Sequence, residues 1–276
     1  MTISSHAKRW ITGLSLVPLL VFWLGWGNSL LFALLVALAC MTALWEYFRM
    51  TLGANAASCH LLPPPTAVGF IAGLAVLWAG HINEPAFYAL ILAFDMVAAG
   101  LWVLLRYPED ASVVQKAAFQ VQGVIYIPVL LSSLMYVRGS ENGRLWIFFI
   151  LVIVFAGDIG AYYAGSYLGR HKLCPAVSPN KTVEGSVGGL LANVLAGGVM
   201  KALLLPMLAW APCVAMFLCV GAAGQIGDLF ESALKRSVQV KDSGGLLPGH
   251  GGMLDRIDAL LFAAPVAFIF KKFILG

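Results

Sequence analysis

The sequence consists mainly of long apolar runs separated by short polar breaks. The hydrocarbon core of a bilayer is about 30 Å thick, so a helix that rises about 1.5 Å per residue needs roughly 20 apolar residues to cross it. Runs of about this length recur along the whole chain. They predict an all-α, polytopic helical membrane protein with about nine transmembrane helices, at residues 10–27, 29–48, 66–82, 85–105, 118–137, 144–166, 186–205, 210–228 and 257–275.

The distribution of lysine and arginine predicts the orientation of these helices. Cytoplasmic loops of membrane proteins carry an excess of both residue types. If the N-terminus is cytoplasmic, twelve of the 17 lie on the cytoplasmic side, and the other five are Arg138, Arg144, Lys201, Lys271 and Lys272. The sequence therefore predicts a cytoplasmic N-terminus. The last run is short for a span, because only twelve apolar residues, 259–270, precede Lys271.

The composition excludes a soluble globule. Apolar residues make up 61% of the 276 positions and charged residues 11%, against about 45–50% and about 25% in soluble domains. The same numbers exclude an intrinsically disordered chain. The net charge of +4 is small, and no nucleic-acid partner is expected. The five cysteines form no CxxC pair, which predicts free thiols rather than a metal site.

Charges of both signs concentrate between Asp228 and Asp258. Asp228, Glu231 and Lys235 are spaced to lie on one face of a helix. Asp255 and Asp258 are three residues apart at the start of the last predicted helix. Two helix ends that carry carboxylates can share a hard divalent cation such as Mg²⁺, with substrate phosphate as a further ligand. Two salt-bridged helix ends would show the same spacing.

A glycine-rich segment connects these two helix ends. Five of the nine residues 244–252 are glycine, with Lys241 before them and His250 among them. Glycine lets a backbone approach a ligand closely and direct N–H groups at an anion. Between a lysine and carboxylates, the segment is interpreted as a phosphate-binding loop, although it contains no Walker A motif.

A second polar stretch lies within residues 156–185. Asp158 lies inside an otherwise apolar run, with Tyr162 one helical turn later, and an acidic residue within a span usually has a functional role. The stretch ends in Ser178-Pro-Asn-Lys-Thr-Val-Glu-Gly185, before the next apolar run. Lys181 at the start of that helix can bind phosphate. A capped loop with no ligand is the alternative interpretation.

The segment Ser232–Asp258 has the sequence SALKRSVQVKDSGGLLPGHGGMLDRID. It resembles the complete signature of the phosphatidate cytidylyltransferase (CDP-diacylglycerol synthase) family. The upstream stretch is similar to the family's Asp-x-Gly-Ala-Tyr and Ser-Pro-x-Lys-Thr-x-Glu-Gly motifs, with Asn180 where relatives often carry lysine. The resemblance covers roughly residues 155–260. It divides the chain into N-terminal transmembrane helices, 1–150, and a C-terminal catalytic region, 151–276, within a single integral membrane unit.

The resemblance implies an enzyme that makes CDP-diacylglycerol and pyrophosphate from CTP and phosphatidic acid of the bilayer, with Mg²⁺ as cofactor. It also implies a homodimer in a bacterial-type inner membrane, with the site open to the cytoplasm. Asp228 and Asp255 would be the metal ligands, with Glu231 and Asp258 close to them. Lys235 and Lys181 would join these two aspartates in catalysis. The substrate phosphates would be bound by Ser178, Lys181, Thr182, Lys235, Arg236, Lys241, His250 and Arg256.

Alternative functions differ in the motifs that they require. A CTP-dependent polyprenol or phytol kinase transfers the γ-phosphate to an alcohol, and such an enzyme is expected to lack the full 27-residue signature. A CDP-alcohol phosphotransferase requires a DGxxAR motif, which does not occur here. A transporter with polar residues on broken helices usually shows repeated halves, whereas the polar residues here cluster in one half of the chain.

Overall fold

The computed structural model describes residues 22–25, 27–53, 65–244 and 251–275. Two strands, β1 (Lys172–Cys174) and β2 (Ser178–Thr182), pair antiparallel. One π-helical segment, Ile125–Val129, joins two of the helices, and another, Phe270–Leu275, follows the last. The α-helices are α1 (Ser29–Leu52), α2 (Pro65–His81), α3 (Ala86–Arg106), α4 (Val113–Val124), α5 (Leu130–Gly139), α6 (Gly143–Leu168), α7 (Val183–Leu204), α8 (Trp210–Ser237) and α9 (Leu254–Ile269).

The all-α, multi-pass class predicted from the sequence is confirmed, but the number of spans is not. Among the described residues, six helical segments are long and apolar enough to cross a membrane: α1, α3, α4–α5, α6, α7 and α8. Helix α2 has 17 residues, which is about 26 Å of rise. Helix α9 has 16 and contains Pro265. The predicted first span, 10–27, lies largely outside the described residues.

The chain forms two compact units. The first comprises the described residues of Met1–Gly139 together with Val238–Arg256, and the second comprises Ser140–Ser237 with Ile257–Gly276. The predicted division at residue 150 is a division by function, and it stays a prediction.

Helix α1 supplies the largest buried side chains of the first unit. Tyr47 and Phe48 are fully buried, and Phe48 packs edge-on against Phe70 of α2, with ring centroids 5.6 Å apart. Gly69 of α2 makes this packing possible, because a Cβ atom there would overlap the Phe48 ring. The Phe48 ring of α1 therefore occupies the space beside Gly69 of α2.

Helices α4 and α5 form one continuous helical segment through Ile125–Val129, as the predicted span 118–137 requires. Pro128 lies inside the π-helical turn. Proline has no N–H to donate within a helix, and a π-helical turn accommodates the missing hydrogen bond locally.

Helix α3 lies mostly at the surface of the first unit. Only Asp95 and Ala99 are buried in it, and Asp95 accepts a hydrogen bond of 2.8 Å from Gln120 Nε2. The rest of the helix presents apolar side chains outward, as a lipid-facing helix does.

In the second unit, α6 and α7 pack at close range through small residues. A Cβ atom at Gly160 of α6 would overlap the Cβ of Ala192, and one at Gly188 of α7 would overlap the Cβ of Ala164. Small residues at such positions let helix backbones approach closely in membranes. The outer side of α7 carries exposed apolar residues at four-residue spacing, including Val187, Leu191 and Leu195.

The segment between α6 and α7, predicted as a loop, contains the β-hairpin. Lys172 lies opposite Thr182, and Cys174 lies opposite Ser178. The turn closes with a hydrogen bond from the Val177 N–H to the Cys174 carbonyl, 3.1 Å long. The hairpin leads directly into α7.

Candidate active site

A cavity of about 520 Å³ lies in the second unit, at the end of α6 where β2 leads into α7. Its walls come from α6, the hairpin, the first turn of α7 and the middle of α8. The lining residues are Asp158, Ala161, Tyr162, Gly165, Ser166, Leu173, Asn180, Lys181, Thr182, Gly185, Ser186, Gln225 and Asp228. It therefore contains residues of the upstream polar stretch together with the first aspartate of the C-terminal cluster.

Two capping interactions fix the hairpin to the start of α7. Thr182 is the N-cap residue, and its Oγ1 accepts a hydrogen bond of 3.0 Å from the Gly185 N–H. Glu184 accepts hydrogen bonds from the backbone N–H groups of Arg170 and His171, and its Oε1 lies 2.6 Å from His171 Nδ1. A capped helix start satisfies backbone donors that would otherwise lack partners. These contacts set the position of Lys181, the residue before the cap.

Lys181 and Asp228 form an ion pair inside this cavity, with Nζ 2.5 Å from Oδ2. Lys181 comes from β2 and Asp228 from α8, and α7 lies between them in the chain. The helical hairpin of α7 and α8 returns the chain to the end of the unit where Lys181 lies. The structure thus joins the two polar stretches at this pair.

Asp158 and Asp258 place two further carboxyl groups near Asp228. Both carboxylates interact electrostatically with that of Asp228, and Asp258 interacts with that of Asp158 as well. Helices α8 and α9 approach closely here, because a Cβ atom at Gly227 would lie 2.5 Å from the Asp258 carbonyl oxygen. Lys181 interacts with Asp158 as well as with Asp228. Lys235 interacts with Asp258. A cluster of three carboxyl groups attracts a further cation.

A polar contact between α7 and α8 lines another part of the cavity. Gln225 Nε2 donates a hydrogen bond of 2.9 Å to the Ser186 carbonyl, and the Ser186 hydroxyl donates to Gln225 Oε1. Sequence reasoning missed both residues. Their signal was a polar side chain in an apolar helix, with Gln225 three residues before Asp228.

Glu231 and Lys235 form an ion pair with each other in the structure. Glu231 is 1% exposed, and neither residue lines the cavity. Arg236 donates from Nε to the Val177 carbonyl at 3.4 Å, so it contacts the hairpin turn. The predicted roles of these three residues in binding metal or phosphate stay predictions.

Asp255, Lys241 and Arg256 belong to the first unit. Oδ2 of Asp255 accepts hydrogen bonds from the Ser243 N–H at 3.2 Å, the Ser243 hydroxyl at 2.9 Å and the Gly252 N–H at 2.8 Å. Lys241 and Arg256 are exposed. His250 lies outside the described residues. Ser178 is half-buried in β2, and its predicted contact with phosphate stays a prediction.

Sequence reasoning also missed Glu46, which contacts Ser243 and Leu254 within the first unit. Its carboxylate is completely buried. The signal that points to it is an acidic residue inside the predicted span 29–48.

The donor chemistry of the cavity suits a hard cation. In the described part of the chain, no three His, Cys, Asp or Glu side chains are grouped closely enough to hold a metal ion by themselves. Mg²⁺ does not require such a group, because it is usually bound by one or two carboxylates together with substrate phosphates and water. Asp228 already attracts one cationic group, the ammonium of Lys181.

Comparison with known proteins identifies the family. The sequence matches the cytidylyltransferase family over residues 7–274. The chain belongs to the cytidylyltransferase family. Among similar members of that family, phosphatidate cytidylyltransferase of Bacillus subtilis is 31% identical over 268 residues, which cover 95% of this chain and 96% of the relative.

Two staphylococcal proteins of the same name are also similar. The protein of Staphylococcus epidermidis is 34% identical over 202 residues, covering 72% of this chain and 76% of its own. The protein of Staphylococcus aureus is 39% identical over 151 residues, covering 54% of this chain and 57% of its own. The match to the cytidylyltransferase family covers both polar stretches and the helices that carry them.

Proposed function

We propose that this chain is a phosphatidate cytidylyltransferase, which transfers the cytidylyl group of CTP to phosphatidic acid in a membrane. The observation that carries the proposal is the Lys181–Asp228 pair, which joins the two polar stretches inside one cavity. The Bacillus subtilis relative supports it, because the similarity extends over nearly the whole length of both chains.

In this reaction, an oxygen of the phosphatidate phosphate forms a bond to the α-phosphorus of CTP. The bond from that phosphorus to the bridging oxygen of the β-phosphate breaks, and pyrophosphate leaves with the electron pair. Such transfers depend on positioning and on stabilising negative charge. Lys181, held at the cavity by the capped start of α7, is the described residue best placed to contact a phosphate. The nucleophile is already an anion near neutral pH, so the reaction needs no strong general base.

We also propose Mg²⁺ as the cofactor, with Asp228 and Asp258 of the second unit among the residues that would hold it. Their carboxylates are near enough to interact and offer only oxygen donors, which suit this ion. Asp255 and Glu231 keep the roles that the family resemblance implies. When bound, the ion would neutralise charge on the phosphates.

The apolar helices and the bacterial relatives support a multi-pass protein of the inner membrane. The distribution of lysine and arginine supports a site on the cytoplasmic side. Following the family resemblance, we further propose a homodimer.

The reaction can be tested by following two positions of label in CTP. The purified protein in detergent is incubated with phosphatidic acid, Mg²⁺ and CTP labelled at either the α- or the γ-phosphorus. We expect the α-label to appear in a lipid product that migrates as CDP-diacylglycerol, and the γ-label to appear in pyrophosphate. Transfer of the γ-label to an added polyprenol would instead indicate a lipid kinase. Absence of the α-label from the lipid product would contradict the proposed function.

A further inference from the structure

The carboxylate of Glu46 lies between the two ends of the glycine-rich segment. Glu46 comes from α1 and is 0% exposed. Its Oε2 accepts a hydrogen bond of 2.9 Å from the Leu254 N–H, at the first residue of α9, and lies 3.5 Å from the Ser243 hydroxyl. Burying a carboxylate is costly unless it is hydrogen-bonded, and a helix N-terminus favours negative charge. These contacts all lie within the first unit.

Two glycines of the segment are required by this carboxylate. A Cβ atom at Gly244 would overlap Oε1 of Glu46, and one at Gly252 would come within 2.5 Å of Oε2. The backbone at both ends of the segment is therefore packed directly against the same side chain. This accounts for two of the five glycines without any ligand.

The residues that contact Glu46 also hold Asp255. The Ser243 hydroxyl, which lies beside Glu46, donates to Asp255 Oδ2 at 2.9 Å, and the Gly252 N–H donates to the same oxygen at 2.8 Å. Leu254, whose N–H donates to Glu46, directly precedes Asp255 in the chain. A displacement of Glu46 would therefore shift two of the groups that donate to the Asp255 carboxylate, the Ser243 hydroxyl and the Gly252 N–H, together with the backbone of the residue before it.

We propose that Glu46 is a positioning residue for the transfer reaction. It contacts both ends of the segment Gly244–Gly252 and the start of α9, and these contacts fix the position of the Asp255 carboxylate. The inference rests on the proposed function through the predicted role of Asp255. Misplacing a reacting group by about 1 Å can lower a rate by roughly 100-fold. The position of the Glu46 carboxylate, more than its charge, should therefore determine activity.

Two conservative variants separate position from charge. Glu46→Asp keeps the charge but shortens the side chain by one methylene, so its carboxylate no longer reaches the Leu254 N–H. Glu46→Gln keeps the length and an oxygen that can accept this bond, but it removes the charge. In the full-length purified protein, we expect Glu46→Asp to lower kcat/KM by at least about tenfold and Glu46→Gln to stay within about threefold of the wild type. The reverse order would overturn the proposal.

A structural control and a second measurement complete the test. Phe48→Leu removes volume from the core beside the same helix without touching the segment, since Phe48 contacts Phe70, Gly69 and Gly123. We expect it to lower the Tm while leaving kcat/KM within about twofold of the wild type. Hydrogen–deuterium exchange of a peptide spanning 251–258 should become faster in Glu46→Asp but not in Phe48→Leu.

The exchange measurement distinguishes failure of this inference from failure of the proposed function. If the wild type makes no CDP-diacylglycerol, the proposed function is wrong. Faster exchange in Glu46→Asp would still support the inference that Glu46 stabilises the ends of the segment Gly244–Gly252. If the wild type is active and Glu46→Asp matches it in both rate and exchange, the positioning role is wrong. An equal loss of kcat/KM in Phe48→Leu and Glu46→Asp would also overturn it.

Discussion

Two lysines of the β-hairpin differ in their surroundings, and this difference is the basis for a prediction at the scale of single residues. Lys181 forms an ion pair with Asp228 inside the cavity, and its side chain is 27% exposed. Lys172 of β1 is exposed and does not line the cavity. An exposed charge contributes about 0–1 kcal/mol, whereas a charge that stabilises a transition state in a partly desolvated site contributes roughly 2–4 kcal/mol.

We expect Lys181→Ala to lower kcat/KM by at least about tenfold, or roughly 1.4 kcal/mol. Lys172→Ala, in the same hairpin, should stay within about twofold of the wild type. Steady-state kinetics with CTP and phosphatidic acid measures both. Equal, small losses would show that the upstream stretch is only a capped hairpin.

Asp228 supports a second prediction, because its carboxylate pairs with Lys181 and interacts with the carboxyl groups of Asp158 and Asp258. Asp228→Asn keeps the volume and removes that charge, and we expect it to lower the transfer rate at saturating Mg²⁺ by at least about 100-fold. The control is Glu109→Gln, an exposed carboxylate paired with Arg106 at the end of α3. Size-exclusion chromatography in detergent should show both variants folded. A rate for Asp228→Asn near that of the wild type would contradict its role.

Spacing in the sequence identified the charged faces but could not identify their partners. It placed Asp228, Glu231 and Lys235 on one helical face, and in the structure the last two pair with each other while Asp228 pairs with Lys181. The contact of Glu46 with Leu254 spans 208 positions. No local periodicity encodes a contact over that separation, so the sequence could mark Glu46 as an acidic residue in a span but could not identify its partners.

At the scale of secondary-structure elements, the pair α6–α7 depends on small residues. Gly160 lies against Ala192 and the Gly188 carbonyl, with no space for a methyl group. Gly100 of α3 provides a matched comparison, because a Cβ atom there would meet nothing within 4 Å.

We expect Gly160→Ala to lower the free energy of unfolding by about 1–3 kcal/mol through overpacking. Gly100→Ala should be neutral or stabilising by up to about 1 kcal/mol, because alanine has the higher helix propensity. Thermal unfolding of the purified proteins in one detergent gives the comparison. A Tm for Gly160→Ala at or above that of Gly100→Ala would show that the two helices can separate without cost.

The apolar runs predicted the existence of the described helices better than their lengths. The predicted span 144–166 corresponds to Gly143–Leu168, and 118–137 lies within Val113–Gly139. Counting apolar residues could not show that α2 has 17 residues or that α9 changes to a π-helical segment at Phe270, because such details depend on caps, prolines and local packing. The β-hairpin was missed because it is short, with strands of three and five residues.

At the scale of the whole molecule, the lysine and arginine bias gives a prediction about orientation. Single cysteines at 172 and 240, introduced into a cysteine-free protein, should be shielded from membrane-impermeant thiol reagents in intact cells and should label after lysis. A single cysteine at 141, in the break on the opposite side, is the control and should label from outside. Labelling of 172 and 240 in intact cells would show that the orientation is inverted.

The contact between Glu46 and Leu254 also has a consequence for how the protein is made. A ribosome adds about 5–20 residues per second, so the 208 positions between them correspond to about 10–40 seconds of synthesis. Throughout that interval the carboxylate of Glu46 lacks the Leu254 N–H that donates to it in the finished protein. The first unit is therefore completed only when translation is nearly over. A nascent chain that stops before residue 238 therefore has neither the Leu254 N–H nor the backbone of Gly244 and Gly252 that covers Glu46 in the finished protein.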